Sequence, residues 1–415
     1  MISSTPIDVL VIGGGPAGLA AATELRARGV VRVVVVEREK QAGGVPRHCG
    51  HPPFGMREFK RVMTGPSYAR RLTSMAERAG VEVLTEHTVV SLEPGGAVNI
   101  SSDEGSFTIN ARRVVIATGV RETPRSARLI SGDRPLGILN TGALQAYVYL
   151  HRLLPFRNPV IVGTELVSLS AILTCLKAGA KPVAMIEKGH HPVAQWPLHL
   201  APKLLGIPLY YRAEIADIRG RNRVDAVDIR REDGTITTLS CDGILFTGEF
   251  IPEASLIRAS HLRLDDGSGG PEVDQYGRCS DPSYYACGNV LHPVETAGWS
   301  FREGQRIGGL VADDLTGMLA SGGRSLTIRR GRGIKYVVPQ RLSLPIGATG
   351  LPELQLRATG KVVADLRVKA DGRDVWARRL STFPERRVLI SLNDLEIPGE
   401  VQELTVTFDS EADRS

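Results

Sequence analysis

Cysteine is scarce in this chain and never paired. Its five cysteines, Cys49, Cys175, Cys241, Cys279 and Cys287, are scattered over 415 residues, and no two stand at C-x-x-C spacing. That argues against a disulfide framework and a zinc site, and it fits a reducing compartment. Long apolar runs are also missing. The longest, Val30 to Val36, is broken by Arg32 and has the length of a strand, so no membrane span is expected. The first residues show neither a basic n-region nor a cleavage site, and a cytoplasmic location is the expectation. Charge of one sign is in modest excess, at +6. Basic residues mix with acids along most of the chain. The one local excess, Arg324 to Lys335, reads as a linker, so nucleic acid is not an expected partner. At this length two or three domains are expected rather than one core.

What is present begins at Asp8. Residues Asp8 to Gly18 read D-V-L-V-I-G-G-G-P-A-G, an apolar strand feeding a glycine turn and then a helix. Gly13, Gly15 and Gly18 have G-x-G-x-x-G spacing. Gly13 allows the tight turn, Gly15 lets backbone approach a pyrophosphate, and Gly18 lets helix and strand pack closely. Pro16 and Ala17 open the helix, whose free N–H groups and positive dipole end suit phosphate. A second strand ends at Glu37, followed by Arg38. A carboxylate there can accept ribose hydroxyls. Gly43 and Gly44 follow closely.

The same plan recurs. Asn158 to Ser168 read N-P-V-I-V-G-T-E-L-V-S, and a further strand ends at Glu187. The interval from Gly163 to Glu187 equals that from Gly13 to Glu37. A hairpin is expected over Val224 to Thr238, turning at Asp233-Gly234. V-V-I-A-T-G at 114–119 and G-I-L-F-T-G at 243–248 close the two halves. The second copy departs from the fingerprint: Thr164 and Glu165 follow Gly163, with Glu165 at the middle-glycine position and Ser168 at the third. A carboxylate about 4 Å from a phosphate costs on the order of 4 kcal/mol at an effective dielectric near 20. Tight nicotinamide dinucleotide binding is therefore doubtful unless Glu165 swings away. If one binds, Glu187 favours NAD over NADP.

With Val114-Val-Ile-Ala-Thr-Gly119 and Tyr285-Ala-Cys-Gly-Asn-Val290 added, residues 5 to 320 resemble the flavoproteins with two dinucleotide-binding domains, the class of glutathione and thioredoxin reductases. The resemblance implies an α/β fold with two Rossmann-like domains, one inserted in the other. It implies FAD held by Gly13, Gly15, Pro16, Ala17, Gly18, Glu37, Arg38, Gly43, Gly44, Val89, Ala117, Thr118, Gly119, Gly288, Asn289, Ala297 and Gly298. Asn289 stands where the class has Asp. The second site (Gly163, Thr164, Glu165, Glu187) is open to NAD(H) or another adenine nucleotide. The expected domains are 1–122 and 249–323 for FAD, 123–248 for the insertion, and 324–415 for a C-terminal antiparallel β domain, a sandwich by its alternation. Its strands are expected at 352–358, 362–369, 374–380, 387–392 and 403–408. Either a docking surface or a structural cap suits that domain.

The disulfide-reductase chemistry of the class needs a cysteine pair, and none is present. Arg47-His48-Cys49-Gly50-His51 leaves three readings: a redox cysteine activated by His48 and His51, a metal site lacking a fourth ligand, or a loop over the flavin. The run from Gly43 to Arg71 resembles flavoprotein subunits of bacterial multi-component dehydrogenases acting on amino acids, opines or glycerol 3-phosphate, and of hydrogen cyanide synthase. That implies a partner flavoprotein subunit that oxidises substrate, in a homo- or hetero-oligomer. The alternatives are a self-contained NADH-dependent flavin reductase or oxidase, and a non-catalytic FAD- and nucleotide-binding protein. No metal is expected.

Overall fold

A computed structural model describes residues 6–194, 197–319, 323–345 and 350–409. The first sheet is built on β1 (Ile7–Ile12), β2 (Val33–Val36), β3 (Glu82–Leu84) and β6 (Gly105–Ile116), in the order β3-β2-β1-β6. These strands pair in parallel. From Val9 onward β1 is apolar because both its faces are covered. Leu10 and Ile12 pack into one core, Val9 and Val11 into another. β4 (Thr88–Glu93), β5 (Ala97–Ser102) and the outer half of β6 form an antiparallel meander on the same sheet. Helices α1 (Pro16–Ala27), α2 (Met56–Phe59) and α3 (Gly65–Arg78) belong to this module.

Two elements from far downstream complete it. β17 (Tyr284–Ala286) pairs with β6, which brings residues 287–289 beside 117–119. Helix α8 (Ala297–Leu315) lies against α1. The approach needs glycine: a Cβ on Gly304 would meet Ala17 O at 2.1 Å, and one on Gly308 would meet Ala21 O at 2.5 Å.

Between these pieces lies the repeat. β8 (Ile138–Asn140), β9 (Pro159–Val162), β10 (Ala184–Glu187), β11 (Leu209–Tyr211) and β15 (Gly243–Phe246) make a parallel sheet of order β11-β10-β9-β15-β8. Helices α4 (Thr141–Tyr149) and α5 (Leu166–Ala178) cover it, with α6 (Ala201–Leu204) a single turn. β12 (Ala213–Arg219), β13 (Ala226–Arg231) and β14 (Ile236–Ser240) repeat the meander, and Gly234 takes φ +82° in the expected hairpin turn. An antiparallel ribbon of β7 (Val120–Glu122) and β16 (Phe250–Pro252) joins the modules, followed by the short α7 (Ser255–Arg258).

The C-terminal part has two sheets. One runs β20 (Arg341–Leu344), β18 (Arg324–Arg330), β25 (Glu403–Phe408), β22 (Val362–Ala370), β23 (Arg373–Thr382). The other runs β19 (Ile334–Val338), β21 (Glu353–Ala358), β24 (Val388–Ser391). Their inner faces share one apolar cluster. Two expectations need correction. The basic segment from Arg324 is a strand, not a linker: Leu326 and Ile328 are buried, while Thr327 between them and the arginines around them face out. The sheet is also not wholly antiparallel, because β18 and β25 run parallel.

Candidate functional site

The turn after β1 is held open by its own hydrogen bonds. Gly13 N–H donates to Val36 O at 2.9 Å, and Ala117 N–H donates to Ile12 O at 2.9 Å. Gly13 has φ +106°, and a Cβ there would sit 2.5 Å from Ala117 O. A Cβ on Gly18 would sit 2.0 Å from Gly13 O. Each position thus rejects a side chain for a different reason. Gly44 packs backbone to backbone on Gly15, where its own Cβ would lie 2.8 Å from Gly15 Cα. Pro16 and Ala17 start α1. Glu37 is buried, and its carboxylate accepts from the N–H groups of Gly14 and Glu39, each at 2.9 Å. Arg38 beside it is exposed.

The distant motifs converge on this turn. Ala117 follows β6, and Thr118 Oγ1 donates to Glu253 O at 2.8 Å. Gly119 has open space where a side chain would be. Gly288 packs on Ala17: a Cβ would meet Ala17 Cβ at 2.6 Å. The Asn289 amide is already engaged, donating to Glu295 O at 3.0 Å and accepting from Ser300 Oγ at 3.1 Å. It pins the loop before α8 at the position where the resemblance implies contact with the cofactor. Ala297 and Gly298 form the first turn of α8, and Glu58 of α2 comes against Gly298. Val89 lies in β4 with its side chain in the core, so that side chain is packing rather than cofactor surface. An FAD fits this cradle: the glycine surfaces leave room for pyrophosphate at the α1 N-terminus, and Glu37 stands at the ribose position.

Two side chains here were not legible as site residues. Glu303 of α8 accepts Gly288 N–H at 2.6 Å and lies 2.8 Å from His292 Nε2. Gln145 of α4 accepts the Cys49 thiol at 3.3 Å and donates to Ser170 Oγ at 3.2 Å. Glu303 lies in the helix opened by Ala297 and Gly298, whereas nothing near Gln145 marks it.

The Cys49 cluster does not form an activated thiol. Cys49 is buried, and burial pushes its thiol up to about 12, with Glu122 adding to the rise. His48 is held below the usual imidazole range by burial and then by Arg47, so it is not a ready imidazolium for a thiolate. His51 Nδ1 lies 3.0 Å from Pro52 O, away from this pairing. Among the described residues no group of three His, Cys, Asp or Glu could hold a metal ion.

The second turn copies the first, with Thr164, Glu165 and Ser168 where the first has Gly14, Gly15 and Gly18. Gly163 N–H donates to Ile186 O at 2.9 Å, as Gly13 does to Val36. Glu187 is buried and accepts from Thr164 Oγ1 and, at 2.7 Å, from Gly189 N–H. Glu165 stands at the N-cap position of α5 but makes no capping hydrogen bond, because its side chain folds inward. Its Oε2 accepts from Thr247 Oγ1 at 2.9 Å, and a Cβ on Gly163 or Gly248 would strike the carboxylate at 2.5 Å. Burial pushes the Glu165 carboxyl up to about 7, against the hydrogen bond from Thr247, with Glu385 and Glu187 adding to the rise. The pyrophosphate of a nicotinamide dinucleotide would need this space, so that group does not fit here while Glu165 stays folded in.

Residues 7–304 match the family described as pyridine nucleotide-disulphide oxidoreductase. The chain is 25% identical over 357 residues to one of the subunits of the opine oxidase of Rhizobium meliloti (strain 1021), covering 85% of this chain and 74% of that one. It is 28% identical over 191 residues to the alpha subunit of the sarcosine oxidase of Corynebacterium sp. (strain P-1), covering 43% of this chain and 19% of that one. The structure of T. acidophilum thioredoxin reductase superposes with a TM-score of 0.63 at 21% identity, over 74% of this chain and 98% of that one, a likeness of fold. No helix among the described residues is long and apolar enough to cross a membrane. The chain belongs to the pyridine nucleotide-disulphide oxidoreductase family and is an FAD-dependent oxidoreductase.

Proposed function

We propose that this chain is one subunit of a multi-component dehydrogenase, and that its flavin receives electrons from a partner flavoprotein subunit rather than from NAD(P)H. The observation that carries the reading is the Glu165 carboxylate lying across Gly163 and Gly248 in the second module. Relatives named as subunits of opine and sarcosine oxidases support it. Bound FAD supplies the redox chemistry. The chain's own residues do the holding: Gly13, Gly15 and Gly18 present the α1 N-terminus, and Glu37 takes the ribose. Glu303, through Gly288 N–H, fixes the loop that brings the late motif to α1. The missing cysteine pair removes dithiol exchange, and buried Cys49 offers no thiolate in its place.

A second reading is favoured by Glu187, which keeps the ribose position of the repeat. On that reading the second module takes an adenine nucleotide, and NADH enters once Glu165 swings out. Anaerobic titration of the FAD-loaded chain separates the two. The proposal expects bleaching by dithionite and none by NADH. Rapid bleaching by NADH would establish the self-contained reductase instead.

A further inference from the structure

Trp299, in the first turn of α8, sits among three guanidinium groups. Arg387, from the turn between β23 and β24, lies 3.4 Å from the ring centroid, Arg57 of α2 lies at 4.5 Å, and Arg302 of α8 at 5.8 Å. Three separate parts of the chain deliver these cations to one indole, which stabilises each by cation–π attraction but does nothing for their mutual repulsion.

The carboxylates close by are already used. Glu58 accepts from Tyr68 OH at 2.5 Å. The Glu295 side chain, under a tenth exposed, accepts from Arg357 Nη2 at 2.5 Å and Gln355 Nε2 at 3.0 Å, and it forms an ion pair with Arg387 at 3.7 Å. Among the described residues Arg57 and Arg302 pair with no carboxylate; the side chain of Arg302 donates to Arg57 O at 3.1 Å. Arg57 and Arg302 are exposed, and Arg387 and Trp299 are partly so. Burial lowers the Arg387 guanidinium from its usual value, Glu295 opposes this, and Arg357 and Arg57 lower it further. The donors of Arg57 are therefore unpaired by carboxylate and open to solvent, while the Arg387 guanidinium, 15% exposed and paired with Glu295 at 3.7 Å, stacks on the same indole.

We infer that Arg57, Arg387 and Trp299 form a binding site for a small organic anion, a carboxylate or a phosphate, at the junction of α2, α8 and the C-terminal β-sheets. A guanidinium fork matches the oxygens of either group, and an anion relieves the repulsion among the three cations around the indole. The C-terminal part thereby contributes a ligand-binding residue next to the α8 turn that carries Ala297 and Gly298. This inference does not depend on where the flavin's electrons come from.

The test is a titration of the FAD-loaded full chain with oxalate and, separately, with inorganic phosphate, at ionic strength held constant with sodium chloride. Calorimetry and tryptophan fluorescence are read together. The expected result is saturable binding of one anion per chain, weakened tenfold or more in both R57Q and R387Q. Binding should be unchanged in R378Q, whose guanidinium lies over Trp376 elsewhere. The preferred probe identifies the ligand class as carboxylate or phosphate. W299F should remove the fluorescence change while calorimetry still registers binding. Arg57 is exposed on a short helix, so R57Q keeps the test informative if R387Q disturbs folding. Failure of both probes to saturate, or equal affinity in R57Q and the parent chain, would overturn the site.

Discussion

Glu165 Oε2 accepts a hydrogen bond from Thr247 Oγ1 at 2.9 Å, whereas the corresponding threonine of the first module, Thr118, donates to the backbone of Glu253. Both threonines bond to backbone, Thr247 also reaching Val162 O at 2.9 Å, but only Thr247 engages a carboxylate as well. Thr118 leaves its glycine turn clear, and Thr247 holds a carboxylate across its own.

The Glu165 carboxyl gives a pH signature. It rests at about 7 in the folded chain against 4.5 ordinarily, so the folded state holds the proton more tightly than the unfolded chain does. The stabilisation is complete below pH 4.5 and is lost as pH rises through 7. E165Q should therefore nearly match the parent chain at pH 4 and exceed it at pH 8 by about 1–2 kcal/mol, allowing for partial exposure. Urea unfolding at the two pH values checks this. An equal difference at both would rule out titration as the cause.

Buried Glu295 joins the loop before α8 to β21 through Arg357, both side chains being under a tenth exposed. Removing one partner leaves a buried charge. E295A should cost about 3 kcal/mol in chemical denaturation, and the double variant E295A/R357A less than the sum of the singles.

Cys49 should be silent in the native protein. All five cysteines are buried, and burial raises each thiol. A thiol reagent at pH 8 should find no fast-reacting group until the chain is unfolded, and C49S should leave dithionite reduction of the flavin unchanged. Rapid native labelling at Cys49 would restore the redox reading.

Gly18 is a steric requirement, since a Cβ would stand 2.0 Å from Gly13 O. G18A should destabilise the first module by about 1–3 kcal/mol and strip FAD on gel filtration, read as the visible-to-ultraviolet absorbance ratio.

The first module was legible because its constraints are local. Gly13, Gly15 and Gly18 carry separate steric demands within a few residues, and the equal spacing of Gly13–Glu37 and Gly163–Glu187 exposes the repeat. The inward fold of Glu165 depends on Thr247, far along the chain, and spacing alone left both orientations open. Gln145 was hidden for the same reason, since its partners Cys49 and Ser170 come from other elements. The strand at Arg324–Arg330 was masked by its arginines. Its two buried residues, Leu326 and Ile328, are too few to stand out from a basic run.

The most direct test of the central claim is equilibrium binding of NADH to the FAD-loaded parent chain and to E165G, followed by nicotinamide fluorescence under anaerobic conditions. The parent chain should show no saturable binding, and E165G saturable binding once a glycine stands at the pyrophosphate position. Tight binding to the parent chain, or none to a folded, FAD-loaded E165G, would contradict the assignment of Glu165 as the group that closes the second module.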